Sequence, residues 1–312
     1  RALAIAPPRD YSDAISATAA REAALTKPAG SLGLLEEISA FLAAVTGNAP
    51  PKVDRPSVVI FAASHGVVDE GVSAYPASVN AQMLASFQAG KAAINQICAA
   101  GGIGLSVFDL AVEIPSGNIA IEDAFADEKA LAGTIAFGLE AIANGTDLLG
   151  LGEMGIGNTT VAAALYAALY GGEPASWCGA GTGVSGKAFD RKVDAVTRAV
   201  ARVTGESDPL ALLRRSGGRE FAAMVWAILA ARVEGIPVVV DGFVSTAAAA
   251  VGHAMEPDAI AHCIFAHSSA EAAHPLVLEK LGAKPLVDLE MRLGEGTGAA
   301  VAMGIIRAAA AC

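Results

Sequence analysis

Cysteine is scarce in this chain. Cys98, Cys178, Cys263 and Cys312 are its only four, they stand far apart, and no CxxC pair occurs. That spacing argues against a disulfide framework or a structural zinc site. The histidines do not repair the deficit, because His262, His267 and His274 follow no standard zinc spacing, and no metal is expected. Aromatic residues make up 5% and charged residues 17% of the sequence. The charges are lopsided, 21 Lys and Arg against 32 Asp and Glu, for a net charge of −11. Nucleic-acid binding draws on clustered basic residues, so that partner class is excluded. No apolar run reaches the roughly 18 to 20 residues needed to span a bilayer, so no membrane partner is expected. The opening residues 1–8 (RALAIAPP) lack a cationic leader with a long apolar stretch behind it, which points to a soluble, cytoplasmic protein.

What the chain has in quantity is small and aliphatic. Hydrophobic residues make up 54% of its 312 positions, with 34 glycines beside them, which excludes a disordered chain and suits close-packed helices with tight loops. The first fifty residues read as helical. Ser12 or Asp13 offers a cap for an Ala-rich run ending before Pro28, and Ser31 offers one for a second helix whose Leu32, Leu35, Ile38, Phe41 or Leu42, and Val45 recur at helical spacing until Gly47. Residues 48–56 (NAPPKVDRP) carry three prolines and form the best boundary in the chain. The expected division is a small helical domain over 1–52, completed by about 285–312, and a nucleotide-binding domain over 53–284.

Past that boundary, short apolar runs alternate with Ala-rich helical stretches. The runs are Val58 to Ala63, Leu105 to Leu110, Asp147 to Leu151, Pro237 to Val240 and Ala261 to Ala266. Apolar on both faces, they resemble buried strands, and the alternation predicts an α/β fold with a doubly wound, mainly parallel sheet. Polar residues stand at the carboxyl ends of the runs: Ser64, His65, Asp109, Glu153, Asp241, His267, Ser268 and Ser269. Ligands bind along that edge of an open parallel sheet.

Three glycine loops bear on the chemistry: 155–160 (GIGNTT), 179–183 (GAGTG) and 294–298 (GEGTG). The first follows a strand and runs into a helix, so the peptide amides of Gly155, Gly157, Asn158, Thr159 and Thr160 are placed to hold a phosphate. It lacks the lysine of a Walker loop and a full GxGxxG, so a mononucleotide fits better than ATP or a dinucleotide. Glu295, between Gly294 and Gly296, has little side-chain cover and can reach into a cleft, where desolvation would make it a competent general base. Glu153 is a second acidic candidate, placed to hold ribose hydroxyls. No GxSxG elbow supports a serine hydrolase.

Taken in order, these motifs become a family signature. Residues 27–36 (KPAGSLGLLE), 65–76 (HGVVDEGVSAYP), 152–160 (GEMGIGNTT), 217–224 (GGREFAAM), 241–243 (DGF) and 288–298 (DLEMRLGEGTG) resemble the nicotinate-nucleotide–dimethylbenzimidazole phosphoribosyltransferases. The resemblance implies transfer of phosphoribose from nicotinate mononucleotide to dimethylbenzimidazole, giving nicotinate and α-ribazole phosphate for the cobalamin lower ligand. It also implies a Rossmann-like large domain, a small helical domain, a homodimer, and no metal or organic cofactor. By position, Glu295 takes the place of the family's catalytic base and Glu153 that of the acidic residue beside the nucleotide. Gly155, Gly157, Asn158, Thr159, Thr160, Gly181 and Thr182 take the phosphate and ribose contacts, Lys192 takes the place of the lysine after the family's GTG loop and Asp241 that of the strand-end aspartate of the same pocket, and residues from Tyr75 to Met83 line the aromatic-base pocket. Ser64 stands where the family commonly has Asp, and Lys91 where it has a second Gly. Transfer to a different aromatic base, hydrolysis of the nucleotide, and binding without catalysis are the competing readings.

Overall fold

The computed structural model describes residues 11–312. Six strands form one sheet: β1 (Pro56–Ala62), β2 (Gly104–Asp109), β3 (Leu148–Met154), β4 (Val238–Val240), β5 (Cys263–His267) and β6 (Pro285–Val287). Their order is β2-β1-β3-β4-β5-β6, and every adjacent pair is parallel. The chain therefore winds outward in both directions from the β1–β3 centre, as the alternating sequence predicts. The helices are α1 (Ser12–Ala24), α2 (Leu34–Thr46), α3 (Val79–Gln88), α4 (Ala93–Gly101), α5 (Glu128–Glu140), α6 (Asn158–Tyr170), α7 (Lys187–Arg202), α8 (Pro209–Ser216), α9 (Arg219–Glu234), α10 (Phe243–Met255), α11 (His274–Lys280) and α12 (Thr297–Ala311). None of these is long and apolar enough to cross a membrane.

Strand side chains alternate between the two faces of a sheet, and here the alternation builds two cores. Val59, Phe61, Leu149, Leu151, Val238 and Val240 pack with helices α6, α9 and α10. Val58, Ile60, Leu148, Val239 and Ile264 pack with Ile38 and Leu42 of α2, Ile94 and Cys98 of α4, and Met303 and Ile306 of α12. Both ends of the chain thus contribute to the second core. Alanine lets the helices approach closely: Ala247 to Ala250 of α10 are fully buried in the first core.

The differences from the sequence reading have local causes. Tyr11 occupies the cap position of α1, and Gly33, at φ 53°, occupies that of α2, so Ser31 does not cap it. The turn before α2 is held by Glu36, whose carboxylate accepts from the Leu32 N–H at 3.0 Å and from Lys27 at 2.6 Å. Strand β6 has no counterpart in the predicted set, because it is a half-buried edge of only three residues.

Candidate functional site

A cavity of 690 Å³ opens where β3, β4 and β5 deliver their carboxyl ends, beside the first turns of α6 and α10. That volume suits a drug-sized or nucleotide-sized ligand. One wall is apolar, built from Tyr75, Val79, Met83 and Leu293. The cavity's polar lining comprises Glu153, Asn158, Thr159, Asp241 and Glu295, with Gly181, Thr182, Glu271 and Arg292. Residues drawn from six stretches of sequence therefore meet at the sheet edge.

Glu295 is held by the backbone rather than by its side-chain neighbours. It sits at φ 62° between Gly294 and Gly296, a left-handed conformation that costs a non-glycine residue free energy and recurs at functional sites. It is only 4% exposed, and its Oε2 has no hydrogen-bond partner among the described residues. Burial pushes its carboxyl up to about 7. The loop carrying it rests directly on β3: a Cβ added at Gly152 would lie 2.7 Å from the Glu295 carbonyl and the Gly296 nitrogen. A Gly152→Ala variant should accordingly displace Glu295, lowering turnover more than ligand affinity and costing roughly 1–3 kcal/mol of stability. Thermal unfolding and steady-state kinetics check both parts.

Asp241, at the end of β4, takes the opening amides of α12. Its Oδ1 accepts from the Ala299 N–H at 2.8 Å and its Oδ2 from the Gly296 N–H at 3.1 Å. These bonds hold its carboxyl down, yet complete burial dominates and pushes it to about 7, with Glu295 adding to the rise. Asp241 thereby fixes the helix that begins immediately after Glu295, besides lining the cavity. Glu153 is 7% exposed and accepts from the Asn158 Nδ2–H through Oε2. Burial first, and then the charges of Glu220, Asp241 and Glu295, hold its carboxyl well above the usual carboxylate range.

The phosphate-type loop leads into α6 as its spacing predicts, with Gly157 at φ 90° in the cap position. Gly155, Asn158 and Thr159 line the cavity, whereas Gly157 packs toward Val68, and Thr160 is fully buried. Several of the loop amides are already engaged, so the expectation of free amides at Asn158 and Thr160 does not hold: the Asn158 N–H donates to the Gly155 carbonyl and the Thr160 N–H to the Gly157 carbonyl, both at 3.0 Å, the Ile156 N–H to Asn80 Oδ1 at 2.8 Å, and the Gly181 N–H to Glu271 Oε1 at 2.8 Å. Lys192 is fully buried behind the wall rather than in it. Its Nζ donates to Thr159 Oγ1 and to the Gly179 carbonyl, both at 2.8 Å, and so ties the two glycine loops together. Burial lowers its ammonium pKa, opposed by the Glu271 charge. The Thr182 hydroxyl accepts from the Ala74 N–H at 3.0 Å, linking the second loop to the Tyr75 segment.

Other strand-end residues divide. His267 and Ser269 line the cavity, while the Asp109 carboxylate accepts from the Val112 N–H beside the edge strand β2. Two contributors were not singled out from sequence. Glu271 lies in a loop after β5 with no glycine pattern, and the Arg292 guanidinium donates to the Gly181 carbonyl at 3.1 Å from a stretch read only for Glu295. Their acidic or basic type, within a few residues of marked strand ends, was the one signal available.

A parallel α/β sheet with a glycine loop at a helix start and buried carboxylates at its carboxyl edge is a setting suited to a small phosphorylated ligand. Comparison with known proteins gives the setting a family. A family model described as Phosphoribosyltransferase matches residues 7–312. The nicotinate-nucleotide–dimethylbenzimidazole phosphoribosyltransferase of Brucella anthropi is 58% identical over 293 residues, covering 94% of this chain and 86% of the relative. The enzyme of the same name from Methylocella silvestris is 58% identical over 300 residues, covering 96% and 88%. A crystal structure of CobT from Thermus thermophilus superposes with a TM-score of 0.90 at 42% identity, covering 96% of this chain and 95% of that one. The chain belongs to the nicotinate-nucleotide–dimethylbenzimidazole phosphoribosyltransferase family and is a phosphoribosyltransferase.

Proposed function

We propose that this enzyme moves the phosphoribosyl group of nicotinate mononucleotide to dimethylbenzimidazole, with Glu295 as the general base. The observation that carries the reading is a buried carboxylate, Glu295, with one oxygen unpartnered among the described residues, lining the same cavity as the first turn of α6. In the reaction, the glycosidic bond between the pyridinium nitrogen and the ribose anomeric carbon breaks, and nicotinate leaves with the bonding pair. A ring nitrogen of the incoming base attacks that carbon from the opposite face, which converts a β-nucleotide into an α-product. Glu295 takes the proton from the other ring nitrogen. A carboxyl pushed up to about 7 is well matched to that task near neutral pH, being part ionised and strong enough to hold the proton.

The other residues supply position and charge. The first turn of α6, with Thr159 and Thr182, holds the phosphate, and Lys192 keeps both loops in register from behind. Glu153, protonated in its buried setting, meets the ribose hydroxyls. Tyr75, Val79 and Met83 receive the flat apolar acceptor. The developing oxocarbenium character is stabilised by the surrounding carboxylates, and a closed cleft keeps water from capturing the sugar carbon. We read the enzyme as a cytoplasmic homodimer.

The test is to incubate the enzyme with nicotinate mononucleotide and a panel of benzimidazoles, purines and phenols, following nicotinate release and product mass. Release that depends on dimethylbenzimidazole, with a ribotide product of matching mass, is expected. Release independent of any added base would mean hydrolysis, and tight binding without release would mean a non-catalytic module; either result overturns the proposal.

A further inference from the structure

Two of the family-like motifs, His65-Gly66 and Gly217-Gly218-Arg219-Glu220, have no part in the chemistry above, yet they converge behind the site. His65 Nε2 and Glu220 Oε1 lie 2.5 Å apart, with the side chains 1% and 0% exposed. On the other side of the ring, Ser116 Oγ stands 3.4 Å from His65 Nδ1. Glu220 Oε2 is buried without a partner among the described residues. Three glycines make room for the pair. A Cβ at Gly155 would lie 2.8 Å from Glu220 Oε1 and 3.0 Å from His65 Nε2; one at Gly218 would lie 3.0 Å from Glu220 Oε2 and strike the imidazole; one at Gly66 would lie 2.8 Å from the Ser116 carbonyl. The same Gly155 position is 3.3 Å from Asn158 Nδ2, the donor that holds Glu153. The pair therefore fills the underside of the turn whose upper side forms the cavity wall.

The charges are arranged with equal consistency. Glu220 lies in the first turn of α9, where the free amides and the helix dipole favour a carboxylate anion. Arg219 turns away from it, toward the Leu110 and Ile114 carbonyls. Glu153 is faced by Glu220 from α9, by Asp241 from the end of β4 and by Glu295 from the start of α12, with His65 behind Glu220. Carboxylates gathered in one dry region cannot all ionise. Glu220 has a helix N-terminus and an imidazole to set beside its carboxylate, whereas Glu153 has only an amide donor to set against three acids.

We propose that His65 and Glu220 are a positioning pair for Glu153: beneath Gly155 they fix the turn that aims Asn158 at Glu153, and the Glu220 charge keeps Glu153 protonated so that it meets the substrate as a hydrogen-bond donor. The pair does not touch the cavity. The role assigned to Glu153 rests on the phosphoribosyl reading; the charge coupling between the two glutamates does not.

Difference infrared titration of the full-length apo enzyme tests the coupling without turnover. The stretching band of the protonated Glu153 carboxyl is assigned by its loss in Glu153→Gln, and its titration midpoint is read in each variant. In Glu220→Gln the midpoint should fall by about 1 pH unit or more, the size of effect a nearby like charge produces. In His65→Gln, which keeps the carboxylate, it should stay at or above the wild-type value. Should Glu220→Gln fold poorly, the His65→Gln/Glu220→Gln double variant, with an amide pair in place of the contacting imidazole and carboxylate, should show a fall of the same sign when read against His65→Gln. The alkaline limb of the nicotinate-release profile should move with the midpoint. An unchanged midpoint in the Glu220 variants, or an equal fall in His65→Gln, overturns the proposal. Failure of the wild type to release nicotinate would count against the phosphoribosyl reading alone, since the infrared midpoint is still measured.

Discussion

Replacing Glu295 by Gln should slow nicotinate release by roughly 10²- to 10⁴-fold while leaving the affinity for nicotinate mononucleotide within a few-fold of the wild type. The amide keeps the shape and the left-handed backbone position of the side chain, so the loop between Gly294 and Gly296 is retained, but an amide cannot take a proton. The same variant carries a stability signature. Because folding raises the carboxyl from its usual 4.5 to about 7, the fold favours the protonated form. Stability tied to this group is therefore complete below pH 4.5 and is lost as the pH climbs through 7. Glu295→Gln has no such loss. Its Tm should match the wild type near pH 4 and exceed it by roughly 5 °C near pH 8, the shift expected when a few kcal/mol at most are at stake in a chain of this size. A residue important only for loop structure would give the opposite sign at high pH.

The second large effect concerns Lys192. Methionine at this position fills the same volume but leaves the Thr159 hydroxyl and the Gly179 carbonyl without their donor and the buried Glu271 without an opposing charge. Breaking one member of a buried charged set costs about 3–5 kcal/mol. Part of that should appear as lost stability. The rest should appear as a Kd for nicotinate mononucleotide weakened roughly 100-fold, equivalent to about 2.7 kcal/mol, because both phosphate-side loops lose their common anchor. Isothermal titration with Lys192→Met and Lys192→Arg separates the two, since arginine restores charge without restoring the geometry and should recover stability more than affinity. Equal nucleotide affinity in the methionine variant would remove Lys192 from the binding machinery.

What could be read from the chain in advance was whatever local sequence determines. Runs apolar on both faces mark strands that must be covered on both sides, and all five of the predicted runs coincide with β1 to β5 to within about two residues at most ends. Glu295 was legible because glycines on either side strip it of cover, and Glu153 because it ends a strand immediately before a loop that starts a helix. Glu220 and Glu271 were not legible, because their meaning depends on which distant segment they meet: Glu220 faces His65 across 155 positions, and Glu271 meets Gly181 across 90. The real place of Lys192 escaped for the same reason. A helix-borne lysine after a glycine loop suggests a cation reaching into a site, and only packing shows it buried and turned toward a threonine and a carbonyl. Ser31 failed as a cap because Glu36 and Gly33 supply the turn instead. Which polar residues reach the sheet edge was thus readable residue by residue, whereas the couplings between charges were products of the fold.

The most direct test is the structure of Glu295→Gln crystallised with nicotinate mononucleotide and dimethylbenzimidazole, in which slow turnover should trap both substrates. The account requires the phosphate at the first turn of α6, the acceptor ring against Tyr75 and Met83, and the side chain at position 295 within hydrogen-bond reach of an acceptor ring nitrogen, on the face of the sugar opposite the departing pyridine. A nucleotide seated elsewhere, or a side chain at 295 pointing away from both rings, contradicts it.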